Sequence, residues 1–127
     1  MTTVPALPAL RLDRESGSKE TWLLLRVGSA LVAYLDVIDC GDELWVMEVG
    51  VHPHHRGRGY GTRLLKTLLD DNPDAQVALS CSSFAPGHVW RHAPEGLPDP
   101  ALTAWYTRHG FRPDGDDEDS RRMVRLP

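Results

Sequence analysis

The chain has 127 residues (14.2 kDa), with 14 Lys+Arg against 18 Asp+Glu, a formal charge of −4 and a pI near 5.8. That length excludes two domains and describes one, over residues 1–127, whose 41% apolar content builds a core without disulfide staples or structural metal. No apolar run reaches the roughly 18 to 20 residues of a membrane span, and Met1-Thr2-Thr3-Val4-Pro5 lacks the basic start of a targeting segment. The expectation is a soluble, cytoplasmic protein in which Cys40 and Cys81 are buried free thiols.

Leu10 to Arg14 reads as a short strand and Thr21 to Val27 as a stronger one. Gly28-Ser29, with Gly in the first central position, suits a hairpin into a strand from Ala30 to Asp39. Cys40-Gly41-Asp42-Glu43 makes the next reversal, and Leu44 to His52 is a β-rich run. After Pro53 the period changes. Leu64, Leu65, Leu68 and Leu69 mark one face of a helix of roughly three turns, which begins in a glycine cluster and stops at Asn72-Pro73. Gln76 to Ser82 is an apolar strand reached through that helix, hence a parallel neighbour of its predecessor. Phe84 to Pro98 has Pro and Gly but no period, and reads as a functional loop. Asp99 and Pro100 are the N-cap and first residue of a helix to Arg108, which Gly110 closes. Arg121 to Leu126 form a last strand after an acidic turn containing Asp114, Asp116, Asp117, Glu118 and Asp119. That turn reads as a solvated one, with attraction of a cationic amine as the alternative.

The average charge hides a contrast. From Val49 to Leu69 there is no acidic residue, while Arg56, Arg58, Arg63 and Lys66 contribute +4, which leaves −8 on the remainder. Such an island gathers a small anion, whereas nucleic acid needs a broad basic face that this chain lacks. The island contains Val51-His52-Pro53-His54-His55-Arg56-Gly57-Arg58-Gly59-Tyr60-Gly61-Thr62, between a strand and a helix start. Glycines there admit positive φ and close approach to main-chain N–H groups, and a helix N-terminus adds partial positive charge, a combination suited to phosphate. A P-loop is excluded because no Gly-Lys-Ser/Thr follows, and a dinucleotide fingerprint because Thr62 stands where its third glycine would be.

Arg56-x-x-Gly59-x-Gly61, preceded by Val51-x-Pro53, resembles the acetyl-coenzyme A pyrophosphate loop of the GNAT superfamily of N-acetyltransferases. Tyr106-Thr107-Arg108-His109-Gly110-Phe111 is similar to that family's closing Tyr-x-x-x-Gly-Phe signature, and the resemblance covers Leu44 to Phe111. It implies an α+β fold, with a mixed, mostly antiparallel twisted sheet, splayed parallel central strands and flanking helices. The N-terminal helices would be reduced or absent, since Glu15 to Lys19 leaves room for barely a turn. Asp99 stands where the family often has Asn, and Leu102 where it has a small residue. The loop from Phe84 to Pro98, or a second subunit in a homodimer, is then expected to supply the missing acceptor wall.

The resemblance implies direct acetyl transfer from acetyl-CoA to a primary amine, on a small molecule or a protein or peptide, within a ternary complex. The pantetheine arm would pair with backbone groups near Val49 and Val51. The pyrophosphate would rest on the amides of Gly57, Gly59, Gly61 and Thr62, with Arg56 and Arg58 supplying charge. One freed N–H would polarise the acetyl carbonyl, an effect worth ~2.7–4 kcal/mol for other oxyanion donors. Tyr106 would donate to the leaving thiolate; the competing reading is an inner-face aromatic beside Trp105 and Phe111. Glu48, a carboxylate interrupting an apolar strand, is the candidate base, with His52 or a water chain as rivals and an exposed or ion-paired carboxylate as the structural alternative. His52, His54 and His55, and the pair His88 and His92, have no cysteine partner and no helical setting, so no metal is expected. Trp90 would wall the acceptor or merely plug an apolar gap. A non-catalytic acyl-CoA-binding regulatory or assembly protein is the alternative function, and an unrelated anion-binding module a third that leaves Tyr106 to Phe111 unexplained.

Overall fold

Alternation of side chains along four consecutive strands builds the first half of the chain. In the computed structural model, which describes residues 9–115 and 121–127, β1 (Leu10–Ser16), β2 (Glu20–Val27), β3 (Ala30–Asp39) and β4 (Leu44–Val51) form an antiparallel meander. One face takes Leu23, Leu25, Ala33, Leu35, Val37 and Val46 into the core. The helix α1 (Tyr60–Asp71) covers that face with Leu64, Leu65, Leu68 and Leu69, all buried. The chain returns through β5 (Val77–Ser80), parallel to β4, then α2 (Asp99–Arg108), β6 (Arg112–Pro113) and β7 (Arg122–Arg125). The described strands make one sheet in the order β1-β2-β3-β4-β5-β7-β6. Tyr106 of α2 and Phe111 beyond it join the same core cluster as the leucines of α1.

Several expectations need correcting. Cys40 is exposed, because it sits in the β3–β4 turn where its N–H bonds the Glu43 carbonyl at 2.9 Å, whereas Cys81 is buried. Pro98, not Asp99, is the N-cap of α2. The Asp99 carboxylate instead accepts the Ser83 N–H at 2.7 Å, tying the end of β5 to the start of α2. The strand expected over Gln76 to Ser82 is shorter, Val77–Ser80, and a turn of 3₁₀ helix at Pro53–His55 precedes the glycines. β1 runs further than expected, pairing with β2 from Leu10↔Val27 to Ser16↔Thr21. Its connection to β2 therefore holds no helix. Residues 116–119 of the acidic turn lie outside the described residues.

The face turned away from α1 is unusual for its content. Trp22, Tyr34 and Asp36 project there, with Trp22 opposite Asp36 and Asp36 opposite Glu48 across three strands. Tyr34 is fully buried because Gly50, directly across from it, has no side chain. A Cβ on Gly50 would lie 2.4 Å from Tyr34 Cε1 and 2.6 Å from Cζ, closer than any real contact. Gly50→Ala is therefore expected to cost ~1–3 kcal/mol in denaturant unfolding, the penalty of overpacking. In a Tyr34→Leu background, which lacks the clashing atoms, the same change should cost markedly less, giving a coupling energy by double-mutant cycle.

Candidate active site

The site starts from a break in strand pairing. β4 and β5 are hydrogen-bonded only from Leu44↔Val77 to Val46↔Leu79, although β4 continues to Val51. The break coincides with a bulge. Asp36 pairs with Glu48 and Val37 with Val46, so Met47 is the extra residue, 49% exposed. Beyond it the His52 N–H bonds the Val32 carbonyl at 2.8 Å, which fixes the alternation of the antiparallel ladder. Val49 and Val51, one and three residues away, direct their main-chain groups away from β3, into the gap beside β5. Among the described residues only the Val51 carbonyl is used there, by Arg56 Nε at 3.2 Å.

Below that edge lies the start of α1. Gly57 and Gly59 both have φ near +79°, a left-handed conformation natural to glycine, and Gly59 is the N-cap without any side-chain cap. The first-turn N–H groups of α1 thus meet neither a cap nor an acidic side chain. Gly61 lies under Trp105, whose Nε1 donates to Thr62 Oγ1 at 3.1 Å and so holds α2 against this helix end. The β4 edge, the glycine turn and α2 enclose a cleft of about 710 Å³. Glu48, Val49, Val51, Gly57, Gly59, Gly61, Thr62 and Tyr106 all line it.

The two arginines of the glycine turn differ. Arg56 lines the cleft, but its guanidinium is engaged by three backbone carbonyls: Val51, Pro94 (2.8 Å) and Glu95 (2.7 Å). It clips the segment 84–98 to the end of β4. Among the described residues the Arg58 guanidinium hydrogen-bonds only His55 Nδ1, at 3.2 Å, and burial followed by that guanidinium hold His55 below the usual histidine range. A neutral His55 accepts from Arg58 and leaves the rest of its guanidinium outward.

The clipped segment lies on the open face of the sheet. Trp90 packs on Tyr34 and His52 with ring centroids 5.5 Å apart in each case, and the His88 ring is edge-on to Tyr34. Glu48 Oε2 receives both the Tyr34 hydroxyl (2.9 Å) and His88 Nε2 (2.8 Å). Its Oε1 takes no hydrogen bond from the described residues. The His52 ring is used differently: Nδ1 accepts the His54 N–H at 3.2 Å, and the ring does not line the cleft. Tyr106 is 6% exposed, and burial, then the nearby Cys81, raise its phenol well above its ordinary value. It stays protonated, and no hydrogen bond to its hydroxyl occurs among the described residues. The rings of His52, His54 and His55 pack on each other, and no group of three metal-type ligands converges among the described residues.

Sequence reasoning gave no site role to Tyr34, Trp105 or Ser83 and weighed His88 only as a metal ligand; the Ser83 Oγ is buried without a partner among the described residues while the residue lines the cleft. Tyr34 carries no signal of its own inside an apolar run. Asp36 does, being a carboxylate in an apolar strand like Glu48.

The model of the acetyltransferase (GNAT) domain family matches residues 18–113. None of the curated proteins compared with the sequence matches it. Among solved structures, the fold is similar to an IAA acetyltransferase from Bacillus cereus ATCC 14579, with TM-score 0.63 and 11% identity over 92% of this chain and 99% of that one. It is also similar to the ribosomal-protein-S18-alanine N-acetyltransferase from Escherichia coli (TM-score 0.60, 19% identity, 87% of this chain and 70% of that one). A third likeness is to the PaiA N-acetyltransferase from Thermoplasma acidophilum in complex with coenzyme A (TM-score 0.61, 12% identity), of which this chain spans 62% while 86% of its own length is covered.

If Arg56 clips the segment, its loss frees the exposed Arg91 within it. Arg56→Ala should raise the rate of tryptic cleavage after Arg91 by about tenfold, the equivalent of ~1.4 kcal/mol of local opening, with no such rise in Arg58→Ala.

Proposed function

This chain belongs to the GNAT acetyltransferase family, and from that premise we propose that it transfers an acetyl group from acetyl-CoA to a primary amine by direct attack within a ternary complex. The observation that carries the reading is the cleft itself. An unpaired strand edge and an uncapped helix N-terminus open on one space, with Glu48 and Tyr106 both on its walls.

Acetyl-CoA supplies an activated acetyl thioester when bound. The residues present fit such a ligand. The first-turn amides of α1, from Gly59 to Thr62, suit its pyrophosphate, and the glycines let phosphate oxygens approach the backbone. Arg58 is the better source of side-chain charge than Arg56, whose guanidinium already serves three carbonyls. The unused groups of Val49 and Val51 suit the amides of a pantetheine arm, as a further strand suits a sheet edge. A volume of about 710 Å³ is ordinary for a cofactor-sized ligand.

The chain's own residues then divide the proton traffic. Glu48 Oε1 takes the proton from the acceptor amine, while the two bonds on Oε2 hold the carboxylate in place. The freed Val49 N–H donates to the acetyl oxygen as charge develops there. Tyr106 donates its phenolic hydrogen towards the departing sulfur. A buried, protonated phenol is a donor throughout, which suits this role and excludes it as the base. His52 is the weaker candidate for base, since one ring nitrogen is committed to the backbone and the ring faces Trp90. The segment 84–98, packed on the sheet by Trp90 and His88, serves as an acceptor wall.

Incubation with acetyl-CoA and a panel of monoamines, diamines, amino acids and lysine peptides should release free thiol. Glu48→Gln is expected to lower kcat/KM by ~10²–10⁴, the usual range for general acid–base groups. Tyr106→Phe should lower kcat with the coenzyme A affinity preserved. Arg58→Ala should weaken coenzyme A binding at low salt, with the difference shrinking as salt rises. Thermal stabilisation by coenzyme A with no thiol release on any amine would instead identify a non-catalytic binding protein.

A further inference from the structure

The open face of the sheet holds more negative charge than the transfer step uses. Trp22, Asp36 and Glu48 form one row across β2, β3 and β4, and Glu20 lies two residues before Trp22 on the same face. Asp36 is 8% exposed, and its Oδ1 is buried with no hydrogen-bond partner among the described residues. Among the described residues the charged groups acting on it are Glu20 from β2 and Glu48 from β4, Tyr34 is coupled to it from its own strand, and the His88 imidazole is bound to Glu48. Burial, then Glu20, then Glu48 push the Asp36 carboxyl up to about 6. Glu20 is thus a like-charged neighbour of Asp36 across the β2–β3 pairing, and one carboxyl beside another favours the protonated form. An orphaned acceptor oxygen in a fold this small costs ~1–3 kcal/mol, and a like-charged neighbour adds to that cost. No core position demands it: the packing leucines and valines are on the other face.

We propose that this row is a subsite for a second positive charge on the acceptor, so that the substrate class is a short aliphatic diamine, with one amine at Glu48 and the far ammonium between Asp36 and Glu20. The proposal rests on the acetyltransfer reading for the role of Glu48, but the subsite is a binding site in its own right. Directly paired positions on adjacent strands are about 5.5 Å apart at Cα in a hydrogen-bonded antiparallel pair, a span that a few methylenes bridge. Trp22, whose indole N–H already bonds Glu20, offers the wall of the subsite, and an aromatic face beside an ammonium adds cation–π attraction. At the rim of the row Trp22 and Glu20 are partly exposed and His88 is more than half exposed. Where Asp36 carries a proton, that proton leaves to solvent as the ammonium binds, so one positive charge takes the place of another; where Asp36 is ionised, the ammonium pairs with it directly.

Calorimetry on the full chain with putrescine and n-butylamine tests this without depending on turnover. Putrescine should bind about tenfold tighter or more than n-butylamine at pH 8. That preference should shrink as pH falls below about 6, where Asp36 holds its proton more firmly. Asp36→Asn should bring putrescine to the n-butylamine level, and Glu20→Gln, at the partly exposed rim, makes the same comparison should the buried variant not fold. Equal affinity for the two amines overturns the proposal, as does a preference that survives both substitutions or is lost together with all amine binding. Selective putrescine binding without thiol release from acetyl-CoA would defeat the acetyltransfer reading and leave the subsite standing.

Discussion

Everything at the site depends on the short parallel contact between β4 and β5. Backbone N–H and C=O groups in a folded chain must be satisfied, and a strand that leaves its neighbour leaves such groups without their ladder. Three paired positions are enough to fix β5 in the sheet, and the bulge at Met47 then turns β4 away. Had the pairing run to Val51, the ladder would have consumed the groups at Val49 and Val51 and closed the cleft. The bulge preserves strand alternation beyond it, so Glu48, Gly50 and His52 face the open side together while Val49 and Val51 pack towards the core.

The same geometry explains why Arg56 is a fastener. The Val51 carbonyl, left free by the break, is one of its three acceptors; the other two are in the segment 84–98. A single guanidinium with five donors in a planar fork therefore connects the end of β4 to a segment that contains no helix or strand. With that segment in place, Trp90 and His88 lie over Tyr34, and Tyr34 in turn holds Glu48. The chain of contacts runs from strand break to carboxylate through named bonds, and the missing side chain of Gly50 is what gives the Tyr34 ring its place.

Apart from the two-residue β6 and the 3₁₀ turn at Pro53–His55, which are too short to carry a period, the order of the elements, the parallel crossing and the glycine turn were legible from period and punctuation alone, because α1 has a clean leucine face and the strands are separated by turn residues. Exact ends were less so. Asp99 looks like an N-cap in sequence, yet its carboxylate has a better partner in the Ser83 N–H, a tertiary contact that no local rule reports. Cys40 reads as buried by its apolar neighbours, but a position in a tight reversal faces water. The motif pointed to Arg56 as a charge for phosphate, and only three-dimensional proximity to residues nearly forty positions away reveals its backbone acceptors. Glu48 was legible because a carboxylate in an apolar strand is costly. The same rule applied to Asp36 would have drawn attention to the open face.

The division of charge has a physical logic. The glycine turn is cationic and free of acids, and the row on the open face is acidic, with the His88 imidazole bound to its Glu48. One strand separates them. β4 offers its edge to the cationic side and its side chains to the acidic one, so an anionic donor and a cationic acceptor can approach the same few residues without competing for the same charges. In a uniform field of either sign, one of the two ligands would be repelled. A carboxylate row buried to this degree is unfavourable on its own and takes up a proton to relieve the strain, as the raised Asp36 does. A carboxyl raised in the fold binds more protons there than in the unfolded chain. Stability is therefore lost as pH rises from the unfolded carboxylate range through about 6, and a cation seated on the row restores it at neutral pH.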